Sequence, residues 1–145
     1  MKKLSLLTVL GLLLFTPVMA DEYLTISERE LPRAARELLM LHFPDQSVSR
    51  ILIDRERFDH DYKIYLADGT SIECDKQGLW QEIHCKGRAV PSELIPGAIR
   101  HSVEERFAAR PIVKIERDRH GYEIELEGGI DLEYSHRGRL LEIDN

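Results

Sequence analysis

The sequence predicts an α+β fold in which a helix followed by a four-strand antiparallel meander occurs twice in tandem. Residues 62–83 and 122–143 align without a gap at an offset of 60, and eight of the 22 aligned positions are identical. An apolar helical pattern at 31–43 recurs at 95–107, at an offset of 64. Such a period suits a duplicated small unit. We therefore expect one sheet of roughly eight strands with the helices on one face.

The first 20 residues have the pattern of a secretory signal peptide. Lys2 and Lys3 precede an apolar stretch at 4–15, which is too short to anchor a chain stably across a bilayer. Small residues precede a cleavage point after Ala20, and the sequence has no cysteine near it that could carry a lipid. We therefore predict a signal peptide at 1–20 and a periplasmic or secreted mature protein with no membrane anchor.

Charge and length limit what the mature chain can be. The full chain has a formal net charge of -6, and removal of two lysines with the signal peptide leaves -8 over 125 residues. Nucleic acid is a poor partner for such a chain, whereas a protein with a basic face is electrostatically easier. The segment at 86–91 is too short to separate domains. We expect residues 21–145 to form a single domain made of two repeats, at about 26–85 and 90–145.

Two amphipathic helices are predicted, because apolar residues recur at every fourth position. A proline at the second position of each pattern, Pro32 or Pro96, suits a first helical turn. Another proline, Pro44 or Pro111, follows the end of each pattern. The apolar stripes comprise Leu31, Ala35, Leu39 and Phe43 in the first unit, and Ile95, Ile99, Val103 and Phe107 in the second.

The strand segments alternate apolar and polar residues, as expected for a sheet with one buried face. Ile64 and Leu66 share the apolar face, while Lys63 and Tyr65 share the other. Short turns between the strands are indicated by glycine. The turn dipeptides are Asp68-Gly69, Gln77-Gly78, Gly128-Gly129 and Arg137-Gly138.

The two cysteines, Cys74 and Cys85, are not expected to be cross-strand neighbours. If residues 76–78 form a hairpin loop, Cys74 faces Trp80, which places Trp80 in the core. Cys85 then lies roughly 17 Å further along the strand, whereas a disulfide needs Cα atoms within about 7 Å. A bridge requires the chain to bend after Ile83. A free thiol and an intermolecular bridge remain open as alternatives.

Catalytic and metal-binding motifs give no support to an enzyme. The six histidines are scattered without HExxH spacing, and the sequence has no CxxC, nucleophile elbow or glycine-rich phosphate loop. The short-range group Cys74, His84 and Cys85 is better explained as turn and strand-edge residues. We predict no catalytic residues, no metal ligands and no cofactor.

Charged side chains collect on the polar face of the predicted sheet. Alternation places Glu123 and Glu125 on this face, and we expect Ile83, Leu141 and Ile143 to add apolar patches near the last strands. An ordinary solvated face is one interpretation; a docking surface for a basic partner is the other. The candidate partner-binding residues are Lys63, Tyr65, Glu73, Glu123, Glu125, Asp131 and Glu133.

A longer pattern of apolar, proline and glycine positions runs through both units. Its residues are Leu31, Pro32, Phe43, Pro44, Tyr62, Ile64, Leu66, Gly69, Ile72, Asp75, Gly78 and Trp80, then Tyr122, Ile124, Leu126, Gly129, Leu132, Tyr134 and Gly138. This pattern resembles two tandem copies of the PepSY-like domains, which are grouped with β-lactamase-inhibitor-like exported proteins. Cys74 stands where the pattern has an aromatic residue, and Ser135 and Leu140 replace its Asp and Trp.

The resemblance implies a binding or inhibitory role outside the cytoplasm and carries over no catalytic residue. We therefore predict an exported, non-enzymatic protein-binding module, in its most concrete form an inhibitor or regulator of an exported enzyme. The alternative is a small-ligand-binding or envelope-sensing module, with the ligand held between the sheet and the helices. A hydrolase without a recognisable motif is a third, poorly supported reading.

Overall fold

The computed structural model describes residues 22–55 and 62–144, so the predicted signal peptide at 1–20 and its cleavage point lie outside the described residues. Within these ranges the chain forms nine strands and two α-helices. In order they are β1 (Glu22–Thr25), α1 (Arg33–His42), β2 (Val48–Asp54), β3 (Tyr62–Leu66), β4 (Ser71–Cys74), β5 (Trp80–His84), α2 (Gly97–Arg106), β6 (Ile112–Arg117), β7 (Gly121–Leu126), β8 (Ile130–Ser135) and β9 (Leu140–Asp144).

All nine strands belong to one antiparallel sheet, and their order in the sheet is their order in the chain. The α+β class is therefore confirmed, although the sheet has nine strands where about eight were expected. The additional strand is β1, which pairs with β2 through Thr25 and Ile51. The helix α2 interrupts the chain between β5 and β6, yet these strands still pair through Ile83 and Ile115. One continuous sheet thus runs through both halves.

The core lies between one face of the sheet and the two helices. A single row of cross-strand partners crosses eight strands on this face, and all of its members except the last are fully buried. The row, here called the apolar row, comprises Ile51, Ile64, Ile72, Ile83, Ile115, Ile124, Leu132 and Ile143. Leu39 from α1 and Val103 from α2 pack into the same core, as their helical spacing predicts.

The expected position of Ile83 on the polar face is wrong. The pairs Glu73 with Glu82 and Cys74 with Trp80 leave Gln81 as an extra residue in β5. Such a β-bulge restarts the alternation of a strand, because the extra residue has no partner opposite. Ile83 therefore turns into the core, where it is fully buried.

Each helix begins directly after its predicted proline, Pro32 or Pro96, and ends with a backbone cap. The N–H of Phe43 donates to Leu39 O at 2.9 Å, and Phe107 closes α2 in the same way at 2.9 Å from Val103 O. Both helices have ten residues, and no helix in the described ranges is long and apolar enough to cross a membrane.

Two hairpin glycines bring each half of the sheet against its own helix. Gly78 has φ +82°, and a Cβ built there would lie 2.9 Å from Ala35 N at the start of α1. Gly138 has φ +76°, and its Cβ would lie 2.5 Å from Ala98 Cβ at the start of α2. Glycine is required at both positions, because an L side chain is disfavoured at positive φ and has no room here.

Both cysteines are free thiols buried in the core. Cys74 pairs with Trp80 across the ladder, as predicted, and the guanidinium carbon of Arg117 lies 4.0 Å from the centre of the Trp80 ring. Burial raises the pKa of Cys74 to about 12 and also raises the pKa of Cys85. Protonated, buried thiols are poor nucleophiles, so neither cysteine has the properties of a reactive site.

Candidate functional site

The face of the sheet opposite the helices carries one continuous line of carboxylates. Lys63 pairs with Glu73 in β4, and each strand from β4 to β9 then contributes one glutamate that is the cross-strand partner of the next. This glutamate row comprises Glu73, Glu82, Glu116, Glu123, Glu133 and Glu142. Neighbouring strands are roughly 4.8 Å apart, so like charges in this arrangement oppose folding.

A second row of partners runs beside the glutamate row on the same face. It begins with Arg50 and Tyr65, passes through Ser71 and His84, and becomes acidic after Lys114. Its remaining members are Glu125, Asp131 and Asp144. Six of the seven residues predicted for the candidate face lie in these two rows, and the seventh, Lys63, pairs with Glu73 at the start of the glutamate row. Their role in binding stays a prediction.

Lys114 lies inside the acidic half of the face without neutralising it. Its Nζ is 3.4 Å from Glu82 Oε2, 3.4 Å from Glu116 Oε2 and 3.8 Å from Glu123 Oε1. Burial alone lowers the pKa of Lys114, but the three carboxylates raise it above its ordinary value. One ammonium group is therefore shared among three carboxylates, and it remains protonated.

The pKa of the Glu123 carboxyl group is raised in the folded protein. Burial raises its pKa above the ordinary value, and repulsion from Glu116, Asp131 and Glu133 adds to this against the attraction of Lys114. The folded protein therefore disfavours the ionised form of Glu123. A cation placed here would stabilise that form.

The half of the face formed by β2, β3 and β4 is electrically compensated. Lys63 forms an ion pair with Glu73, and this hydrogen bond raises the pKa of Lys63 despite burial. The guanidinium carbon of Arg50 lies 3.9 Å from the centre of the Tyr65 ring, within the range of a cation–π contact. The open face thus joins a balanced half to an acidic half.

Two clefts open in the acidic half. The larger, of about 260 Å³, is lined in part by Glu116, Glu123, Glu133 and the exposed Leu141. The smaller, of about 160 Å³, is lined by carboxylates on β7, β8 and β9. Acidic rims beside an apolar side chain suit the aliphatic stem and charged end of a lysine or arginine. Among the described residues, no group of three or more His, Cys, Asp or Glu side chains is arranged to hold a metal ion.

Eight members of the two rows were not among the predicted candidates: Glu82, Glu142, Glu116, Arg50, Ser71, His84, Lys114 and Asp144. The first two could have been found from their recurrence at the offset of 60, but the bulges in β5 and β9 obscure the alternation there. Of the expected apolar patches, Leu141 is the extra residue of the β9 bulge and lines the larger cleft. Ile143 pairs with Leu132 and belongs instead to the helical face.

Comparisons with known proteins assign a family without assigning an activity. Residues 60–142 match the family described as beta-lactamase-inhibitor-like, PepSY-like, in a stretch that crosses both halves of the sheet. No match was found among the curated proteins.

Solved structures share the whole fold. One, described as a candidate periplasmic protein of unknown function from Bacteroides vulgatus, is 37% identical with a TM-score of 0.80 over 86% of this chain and 99% of its own. A second candidate periplasmic protein from that organism is 32% identical with a TM-score of 0.80, covering 88% and 99%. A candidate calcium-regulated periplasmic protein from Bacteroides thetaiotaomicron is 30% identical with a TM-score of 0.81, covering 86% and 98%.

The family match extends over more than half of the sequence, and these structures cover nearly all of the described fold at 30% identity or more. The chain belongs to the PepSY-like family.

Proposed function

We propose that this protein is an exported, non-enzymatic binding module whose open sheet face docks a partner protein with a basic surface. Its most concrete form is an inhibitor or regulator of an exported enzyme. The signal-peptide pattern at 1–20 supports an exported location, as does the periplasmic description of the relatives. The description of the family as beta-lactamase-inhibitor-like supports the inhibitory version.

The observation that carries the proposal is the glutamate row. Six carboxylates lie on six successive strands, and the lysines beside them, Lys63 and Lys114, offset only part of their mutual repulsion. Folding alone gives no reason to line them up. Burial raises the pKa of Glu123, and repulsion from Glu116, Asp131 and Glu133 adds to the rise. A basic partner would relieve this repulsion on binding, and the negative field would accelerate the partner's approach.

We also propose that the two halves are copies of one unit, at about 26–85 and 90–145. The support is the repeated order of a helix followed by strands, together with glycines Gly78 and Gly138 that contact the two helices in the same way. The copies would then share their fold and differ in the charge of the open face.

A second candidate function is ligand binding or envelope sensing, and calcium is the specific ligand that it suggests. One relative is described as calcium-regulated, and five carboxylates of β7, β8 and β9 line the smaller cleft. Against a dedicated calcium site, the described residues contain no arrangement of three or more such side chains that could hold a metal ion. We therefore rank this function below docking of a protein.

Affinity capture from an envelope extract tests the proposal. The bait is the mature protein, and the test variant is Glu125→Lys with Glu133→Lys on the open face. The control is Glu93→Lys with Glu104→Lys, which changes the net charge equally at exposed positions near and on α2. We expect wild type and control to capture one protein in stoichiometric amounts, and the test variant to lose it.

Two outcomes would contradict the proposal. Equal capture by both variants would remove the open face as the docking surface. Capture that depends on CaCl₂, and is not reproduced by MgCl₂ at the same ionic strength, would favour the calcium-sensing function. If the captured partner is an enzyme, its activity should fall on addition of the wild type and not of the test variant.

A further inference from the structure

The two outer strands of the sheet are protected very differently. Side chains of β1 are tied to the short 3-10 helix Glu28–Glu30, because Tyr23 Oη donates to Glu30 Oε2 at 2.9 Å and Thr25 Oγ1 donates to Glu30 Oε1 at 2.6 Å. The guanidinium carbon of Arg55 also lies 5.2 Å from the centre of the Tyr23 ring. The side chains of this edge strand are therefore held by residues of its own chain.

The strand β9 forms the opposite edge and has a neighbour on one side only, within the part of the chain that the structure describes. Ile143 is the last member of the apolar row, yet it is 49% exposed, while its partner Leu132 is fully buried. Leu141 on the other face is 54% exposed. Proteins normally protect an edge strand with lysine, proline or a covering segment, because its backbone groups can pair with another chain. Beside the acidic Glu142 and Asp144, β9 thus carries an exposed apolar side chain on each face, and such an edge is suited to strand addition.

We propose that β9 accepts an extended segment of a basic protein as a tenth strand. The residues of that segment would alternate, with basic side chains beside Glu142 at the end of the glutamate row and apolar side chains beside Ile143 at the end of the apolar row. Backbone pairing supplies affinity in strand addition, and alternate side chains supply specificity. The inference rests on the proposed function for the basic character of the partner and adds the way in which that partner binds.

Charge favours a basic segment over a second copy of this chain. If β9 paired antiparallel with β9 of another copy, the two open faces would form one surface and their glutamate rows would meet at the junction. Like charges opposite one another across a ladder destabilise the pairing. A basic segment removes this repulsion and completes the apolar row as well.

The test uses a capped ten-residue peptide of alternating Lys and Val, and an isomer with the same composition in two blocks. Binding is measured by calorimetry, and protection of the β9 amides is measured by hydrogen exchange. We expect the alternating peptide to bind at least about ten times more tightly than the block isomer and to protect β9 amides. Ile143→Lys should abolish this preference. Ile26→Lys, at an isoleucine that is 73% exposed outside the strands, should leave it unchanged.

Equal binding of the two peptides, an Ile143→Lys variant that behaves as wild type, or protection of β9 by self-association without peptide would each overturn the inference. Capture of the partner from the envelope extract then distinguishes failure of this inference from failure of the proposed function. If Glu125→Lys with Glu133→Lys no longer captures the partner but Ile143→Lys still does, pairing at the β9 edge is contradicted and docking on the open face is retained. Capture of the partner by both variants would contradict the proposed function.

Discussion

The two halves of the open face belong to one continuous sheet and carry different charge. In the first half Lys63 is matched by Glu73, and Arg50 lies over Tyr65. In the second half Lys114 faces three carboxylates, and further acidic residues surround them. The buried face shows no such difference, because the apolar row runs through both halves. Burial constrains the core side alike in each half, so the two halves differ in the solvent-facing charge on which the proposed docking rests.

Substitutions in the buried core of each half should have the largest effect on stability. Ile64→Ala and Ile124→Ala remove equivalent, fully buried side chains of the apolar row. Each should lower the free energy of unfolding by about 2–5 kcal/mol, because each loses buried apolar surface and leaves a cavity. Urea denaturation checks this. A half that tolerates its substitution would contradict the single shared core.

The hairpin glycines should have the next largest effect. Gly78→Ala and Gly138→Ala combine strain at positive φ with a contact against the start of α1 or α2. We expect each to destabilise the protein by about 1–3 kcal/mol. Gly129→Ala is the matched control, since it has φ +82° but its Cβ would meet open space. Thermal denaturation should rank both hairpin variants below this control; equal melting of all three would remove the helix contact as a cause.

Local patterns in the sequence predict much of this fold because they act over short distances. The four-residue apolar spacing of Leu39 and Val103 predicts the helices, and alternation with glycine turns predicts most strands. Features that depend on contacts between residues far apart in the sequence cannot be predicted from local patterns. The strand β1 forms only because β2 lies beside it, and the position of Ile83 depends on a bulge.

The same limit applies to the candidate site. Alternation places Glu123 and Glu133 on the open face, and the structure agrees. The glutamate row as a whole depends on the pairing of Glu82 with Glu116, which joins β5 to β6 across the intervening α2. No local pattern could predict that pairing, so the sequence shows the acidic cluster and not its continuity.

Neutralising one carboxylate in each half should have small and opposite effects. Glu123→Gln removes a charge that burial and the neighbouring carboxylates disfavour. It should raise the free energy of unfolding by less than about 1 kcal/mol at pH 7, because solvent screens this half-exposed group. Glu73→Gln removes the partner of Lys63 and should lower it by about 1 kcal/mol. Urea denaturation of both variants measures the contrast. Shifts of the same sign would mean that the two halves do not differ in charge balance.

The pH dependence of the Glu123→Gln effect should be smaller still. The pKa of Glu123 is raised in the fold above its ordinary 4.5, so ionisation costs more in the folded state than in the unfolded state. The wild type therefore loses stability relative to the variant as pH rises through the raised pKa. Below pH 4.5 the advantage of the variant should disappear. Denaturation at about pH 4 and pH 7 checks this, and an advantage that grows on acidification would contradict the assigned direction.

The association rate with the captured partner tests the central claim most directly. Stopped-flow rates are measured at about 30 mM and about 300 mM NaCl, where screening differs strongly. Glu125→Lys with Glu133→Lys should associate about ten times more slowly than wild type at low salt and only about twofold more slowly at high salt. The control Glu93→Lys with Glu104→Lys should stay near wild type. A test variant with wild-type rates at both salt concentrations would contradict the assignment of the acidic half as the docking surface.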